Sequence, residues 1–207
     1  MYEQSKLSEL IQFARVAAGS TVIDVYPGDG DWTRLFSDIV GPGGRVYSFV
    51  PTEVANFKND PLGRMRTLAK EPGRENVEAV SADLVAMPKA TQPADVLWLH
   101  LFYHDLHTEL MQARGATAAH FNRAVYERLK PGGYYVIVDH AAAFGRARAT
   151  PSRCIGLSLH PFARRWRRPV SYWTRRASCS RTMAICTRSR RSIRRSRAGP
   201  IASPIGS

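Results

Sequence analysis

Every acidic residue of this chain, from Glu3 to Asp139, falls within the first 140 positions, and that segregation constrains what can fold as one unit. The 17 acids share those positions with 14 lysines and arginines, an ordinary balance for a globular domain. Residues 141–207 hold 16 more basic residues, all arginine, and contain no Asp, Glu, Asn, Gln or Lys. The formal charge of +13 therefore describes neither part. A chain of 207 residues is too short for two domains of usual size, so the expectation is one α/β domain over 1–143 and an Arg-rich segment over 144–207.

The three cysteines, Cys154, Cys179 and Cys186, all lie in the Arg-rich segment, with no CxxC pair and no histidine at metal-ligand spacing. Neither zinc nor a disulfide framework is expected, and no metal site. The first 19 residues carry acids and lack an apolar core of signal-peptide length, while no run approaches the roughly 18 apolar residues of a membrane span. A cytoplasmic location without membrane contact is the expectation.

Within the first part, apolar runs alternate with helical patterns. Leu7, Leu10, Ile11, Ala14 and Val16 mark an amphipathic leading helix stopped at Gly19. Strands are predicted at Thr21–Tyr26, Arg45–Val50, Val77–Ala82, Ala94–Leu101 and Tyr134–Asp139, with helices at Trp32–Val40, Thr117–Leu129 and, broken, at Val54–Lys70. The strands lack in/out alternation, which implies a doubly wound, mainly parallel, Rossmann-like sheet covered on both faces. Ligands of such sheets bind beyond the carboxyl ends of the strands, so the residues just after each strand are the ones to inspect.

After the first strand, Asp24-Val25-Tyr26-Pro27-Gly28-Asp29-Gly30 places an acid and two glycines in a turn before a helix, where a nucleoside can approach the backbone. A purely structural turn would look the same. A nicotinamide fingerprint needs a third glycine or alanine where Thr33 stands, which disfavours a dinucleotide oxidoreductase. After the fourth strand, His100, Tyr103, His104, Asp105 and His107 crowd five titratable groups into eight residues. Asp139-His140 ends the fifth strand at the same edge. The competing reading makes one histidine a core residue, another solvated, and Asp105 a helix cap.

Read together, two ordered stretches carry a resemblance. The run from Val22 through Gly28-Asp29-Gly30-Asp31-Trp32-Thr33 to Gly43-Gly44-Arg45-Val46-Tyr47 resembles motif I and the second strand of class I S-adenosylmethionine-dependent methyltransferases. About 100 residues on, Leu129-Lys130-Pro131-Gly132-Gly133-Tyr134 resembles the turn before their fifth strand. The resemblance covers residues 5–143 and is closest to bacterial predicted methyltransferases. It implies S-adenosyl-L-methionine as cofactor, with Asp24, Tyr26, Gly28, Asp29, Gly30 and His100 around it and Asp83-Leu84 against its adenine. It also implies a loop facing the transferred methyl, in which Tyr103 lies near the sulfonium and His104 or Asp105 deprotonates a small-molecule acceptor. There are departures. Tyr26 stands where the family usually has a glycine, and Val50-Pro51 where an acid normally accepts the ribose hydroxyls, with Glu53 as a substitute three positions on.

The Arg-rich segment has two readings. Trp166, Tyr172 and Trp173 among arginines suit a nucleic-acid-binding arm, the alternative function for the chain, although such a segment binds nucleic acid non-specifically in any case. The favoured reading is a frameshift near Ala143 or Phe144. Permitted codons for Ala163 to Thr174, read two bases later, give Ala-Glu-Val-Glu-Ala-Ala-Gly-Phe-Val-Leu-Asp, a helix, glycine and strand of the kind the family has there. On this reading the chain keeps strands one to five, loses strands six and seven, leaves the fifth strand as a bare edge and ends in a disordered basic tail, with its stability and activity lowered accordingly.

Overall fold

The computed structural model describes residues 4–87, 92–140, 171–176 and 181–188. Helix α1 (Gln4–Ala14) leads into β1 (Thr21–Val25), whose five residues are all buried. Helix α2 (Asp31–Val40) follows, then β2 (Arg45–Pro51), a short α3 (Thr52–Ala55), α4 (Pro61–Leu68) and β3 (Val77–Ala82). After β4 (Ala94–His100) come a 3-10 turn at Tyr103–His107, α5 (Glu109–Ala113), α6 (Ala118–Arg128) and β5 (Leu129–His140).

The parallel strands stand in the order β3-β2-β1-β4-β5. The chain winds outward from β1 to β3, then crosses back to place β4 on the other side of β1. The carboxyl ends of β1 and β4 therefore flank the switch point, where opposing crossovers leave a crevice. This is the Rossmann-like sheet that the apolar strand pattern implies.

The core is dense and aromatic. Trp98 on β4, fully buried, meets Trp32 (ring centroids 4.5 Å apart) and Phe36 (5.3 Å) on α2, which fixes that helix against the sheet. On the opposite side Phe121 of α6 packs edge-on against Tyr135 of β5 at 6.3 Å. Local chemistry sets the element ends. Gly30 at the N-cap of α2 has φ 83°, Asp31 places a carboxylate in its positive first turn, and Thr117 accepts from the His120 N–H to cap α6. Between β2 and β3 the break in the helical pattern is real: Asp60 caps α4, and Pro61 occupies its first turn.

Two features differ from the sequence reading. Strand β5 begins at Leu129, ahead of Pro131-Gly132-Gly133, so the glycines lie inside the strand. Gly133 packs so close to β4 that a Cβ there would sit 2.9 Å from the Ala94 carbonyl oxygen, and the register shifts between Ala94 and Val96. The Pro-Gly-Gly run thus forms a bulge in the strand. Second, β5 is not a bare edge, because β6 (Ser171–Arg176) and β7 (Arg181–Arg188) add antiparallel strands in the order β5-β7-β6. The backbone groups along β5 demand partners, and stretches such as Ser171-Tyr172-Trp173-Thr174 have the β-branched and aromatic content to supply them. The remainder of the segment expected to be disordered lies outside the described residues.

Candidate active site

A cavity of about 500 Å³ opens at the switch point, lined by the turn after β1 (Tyr26, Pro27, Gly28, Asp29), by Trp32 of α2, by His100 and Leu101 after β4, and at its base by Asp24. Asp24 is 1 % exposed and accepts a hydrogen bond from the Thr33 hydroxyl at 2.7 Å. Burial pushes its carboxyl up to about 7, with the Thr33 bond opposing the shift. Thr33, which in the sequence only signalled the absence of a dinucleotide fingerprint, is thus the residue that holds this acid. Its hydroxyl also lies 3.4 Å from Ser48 of β2.

The turn is tight. Tyr26 takes φ 53°, a left-handed conformation uncommon outside glycine, and is held there by its N–H bond to the Phe49 carbonyl at 2.8 Å. Its ring lies 4.8 Å from that of Phe102, so the aromatic side chain at this unusual position is packed beside the cavity. Asp29 is paired outward to Arg64 at 2.5 Å. His100, the last residue of β4, lies 5.5 Å from the Trp32 ring, and Leu101 after it is also left-handed, at φ 54°.

A second cluster forms at the ends of β2 and β3, outside the lining of that cavity. Glu53 is buried and accepts from the Leu84 N–H with both oxygens, each at 3.1 Å, while Arg114 donates to the Glu53 carbonyl at 2.7 Å. The neighbouring Thr52 hydroxyl donates to Asp83 at 2.5 Å. Glu53, Asp83 and Leu84 are therefore brought together, with the Leu84 N–H already engaged.

The third cluster follows β4. His104 shares a 2.7 Å hydrogen bond through Nδ1 with Oδ1 of Asp139, and its backbone N–H donates to Oδ2 of the same carboxylate at 3.0 Å. Asp139 is fully buried at the end of β5. The Asp139 bond raises the imidazole pKa against the opposing effect of burial, with Asp105 adding to the rise. Asp105 Oδ1 stands 3.6 Å from the other ring nitrogen, Nε2, and its own carboxyl is raised chiefly by burial. Tyr103 lies apart from the cavity lining: it is 4 % exposed, and its hydroxyl accepts from Asn122 of α6 at 2.9 Å. Among the described residues no group of three or more His, Cys, Asp or Glu is placed to hold a metal ion, and no helix is long and apolar enough to cross a membrane.

Strand order, glycine turn and switch-point cavity together define the class I S-adenosylmethionine-dependent methyltransferase fold. A SAM-dependent methyltransferase from Aquifex aeolicus superposes with a TM-score of 0.65 at 16 % identity, over 90 % of this chain and 94 % of that one. The [4+2]-cyclase SpnF has the same fold, with a TM-score of 0.59 at 15 % identity over 82 % of this chain and 58 % of its own. Sequence narrows the class. The pattern of the ubiE/COQ5 methyltransferase family matches residues 5–143, and the chain belongs to that family. The demethylmenaquinone methyltransferase of Listeria welshimeri is 26 % identical over 131 residues, 63 % of this chain and 49 % of that protein. The ubiquinone/menaquinone biosynthesis C-methyltransferase UbiE of Klebsiella pneumoniae is 30 % identical over 130 residues, 62 % of this chain and 46 % of its own length. The chain thus spans about half the length of these curated relatives.

Proposed function

We propose that this chain binds S-adenosyl-L-methionine at the switch-point cavity and transfers its methyl group to a small-molecule acceptor of the quinone-precursor type that its relatives' names indicate. The observation that carries the reading is Asp24. A carboxyl buried at the base of an open cavity, offered one hydroxyl and, among the described residues, no cation, suits a positively charged ligand, and the methionine end of the cofactor bears both an ammonium and a sulfonium. Gly28 adds to the fit, since nothing lies within 4 Å of where its Cβ would be and a ligand can approach the backbone there.

In this arrangement Asp24 would hold the ammonium, with Gly28, Asp29 and His100 around the methionine end. Asp83 would accept from the exocyclic amine of adenine. Glu53 would take the ribose hydroxyls in place of the acid that Val50 displaces, while still fixing the Leu84 N–H. When bound, the cofactor supplies an electrophilic methyl on positively charged sulfur, and the chain's task is chiefly to position the acceptor in line with it and exclude water.

Titration calorimetry with S-adenosylhomocysteine tests the binding half, and transfer of labelled methyl from the cofactor to reduced demethylmenaquinone tests the acceptor class. Micromolar binding with label in the organic extract is the expected result. No heat at high micromolar ligand would sink the proposal.

A further inference from the structure

We propose that Tyr26 is a specificity-determining residue: its aromatic ring, kept at a cavity-lining position whose backbone suits glycine, makes the site prefer the positively charged cofactor over the product of transfer, whose sulfur is neutral. This rests on the methyl-transfer reading above.

The backbone does not call for a tyrosine here. Tyr26 follows β1 at φ 53°, a conformation that opposes any side chain beyond glycine's, and its N–H continues the ladder onto the Phe49 carbonyl of β2 at 2.8 Å. Glycine would meet both demands without strain. A strained non-glycine residue persists where its side chain serves a site, and this one is both supported and placed. Phe102, itself 1 % exposed, backs the ring at a centroid distance of 4.8 Å, and the half-buried Tyr26 lines the cavity.

The rest of the lining selects for positive charge. Asp24, Asp29 and Asp31 contribute carboxyls, no lysine or arginine is among the described residues that line the cavity, and Trp32 and His100 add aromatic surface beside Tyr26. Asp29 is already paired outward to Arg64. The ammonium that such acids suit is common to cofactor and product, so the feature that separates the two ligands is the sulfonium. An aromatic face draws a cation through its quadrupole and offers a neutral thioether no such attraction. Burial, with Asp105 second, raises the Tyr26 hydroxyl above the usual tyrosine value, so the attraction is that of a neutral ring and not of a phenolate.

The preference has a consequence for turnover. In methyl transfer the methyl–sulfur bond breaks, its electron pair stays on sulfur, and the sulfonium becomes a neutral thioether. The product therefore loses the contact with Tyr26 that the cofactor had, and the site gives it up to fresh cofactor. Tyr26→Leu keeps a β-carbon and apolar bulk at the same backbone position but has no aromatic face, whereas Tyr26→Phe keeps the face and loses only the hydroxyl.

The test is titration calorimetry on the full chain with S-adenosylmethionine and with S-adenosylhomocysteine, read as the ratio of the two Kd values. The wild type should hold S-adenosylmethionine the more tightly, Tyr26→Phe should keep that preference, and Tyr26→Leu should reduce it by about 3- to 30-fold, chiefly by weakening S-adenosylmethionine. If Tyr26→Leu does not fold, Tyr26→Phe carrying one, two or three ring fluorines takes its place, because fluorine drains the aromatic face at nearly constant shape, and the preference should fall with each fluorine. A ratio that stays within about twofold of the wild type in Tyr26→Leu, or along the fluorine series, would overturn the proposal. So would a wild type that binds the product as tightly as the cofactor. Failure of both ligands to bind the wild type would instead overturn the methyl-transfer reading, and this inference with it.

Discussion

Asp24 and Tyr135 are both polar groups taken out of water, and replacing either should stabilise the fold, but only the Asp24 change should also weaken cofactor-product binding. The folded chain keeps the Asp24 proton up to about pH 7, whereas an unfolded carboxyl releases it near 4. Between those values the native state binds more protons, so the contribution of this group to stability declines as pH rises from about 4 to about 7 and stays low above. Asp24→Asn removes that slope. It should raise Tm more at pH 8 than at pH 4 in scanning calorimetry, and weaken S-adenosylhomocysteine binding at neutral pH by about 10- to 100-fold, the equivalent of one charge-assisted hydrogen bond of about 1.5–3 kcal/mol. Tyr135 is fully buried, and among the described residues its hydroxyl has no hydrogen-bond partner. Tyr135→Phe discards a desolvated hydroxyl and keeps the packing against Phe121, so denaturant unfolding should show no loss and a gain of up to about 1–3 kcal/mol.

At the scale of elements, the turn between β1 and α2 is held by shape as much as by bonding. An alanine at Gly30 would carry its Cβ to 2.4 Å from Leu68 Cδ1 and 3.0 Å from Met65 Cε of α4, at a φ that L side chains rarely adopt. Gly30→Ala should cost about 1–3 kcal/mol in urea unfolding and loosen the cavity rim. This turn, the strands and the helices were legible in the sequence because each is written in consecutive residues: buried runs for β1 and β4, glycines at the turn, a 3.6-residue apolar stripe for α2. The side-chain pairings within the candidate site were not. His104 and Asp139 are 35 residues apart, and Glu53 and Leu84 are 31 apart. Each partner belongs to a different strand end, so only the strand order reveals that they meet. The hydroxyl of Tyr103 accepts from Asn122 of α6, 19 residues on, a partner that the loop sequence alone does not indicate. The bulge in β5 was hidden for the reverse reason, since Pro-Gly-Gly reads locally as a break.

Across the whole molecule, the sheet divides into a parallel part whose sequence suits it and an antiparallel flank drawn from the acid-free segment. Strand β7 pairs with β5 over seven residues, from Tyr134 to His140. Deleting residues 171–207 should expose that edge, and light scattering should show concentration-dependent association that the full chain lacks. The shifted-frame reading of this segment is decided by sequencing the gene from the Asp139 codon onward: one inserted or missing base near Ala143 supports it, and an intact frame refutes it. The strand that the alternative frame writes, Phe-Val-Leu-Asp, falls on codons 170 to 174, where β6 lies at Ser171–Arg176. The position of Asp139 gives the site a particular relation to such a lesion. It is the last of the site's titratable side chains described above, four positions before Ala143, so every proposed catalytic and cofactor-facing group would be encoded upstream of such a change. If the frame has shifted there, repair by a single base would rewrite the scaffold's flank and leave the proposed reaction centre untouched, so the change would be reversible in one mutational step.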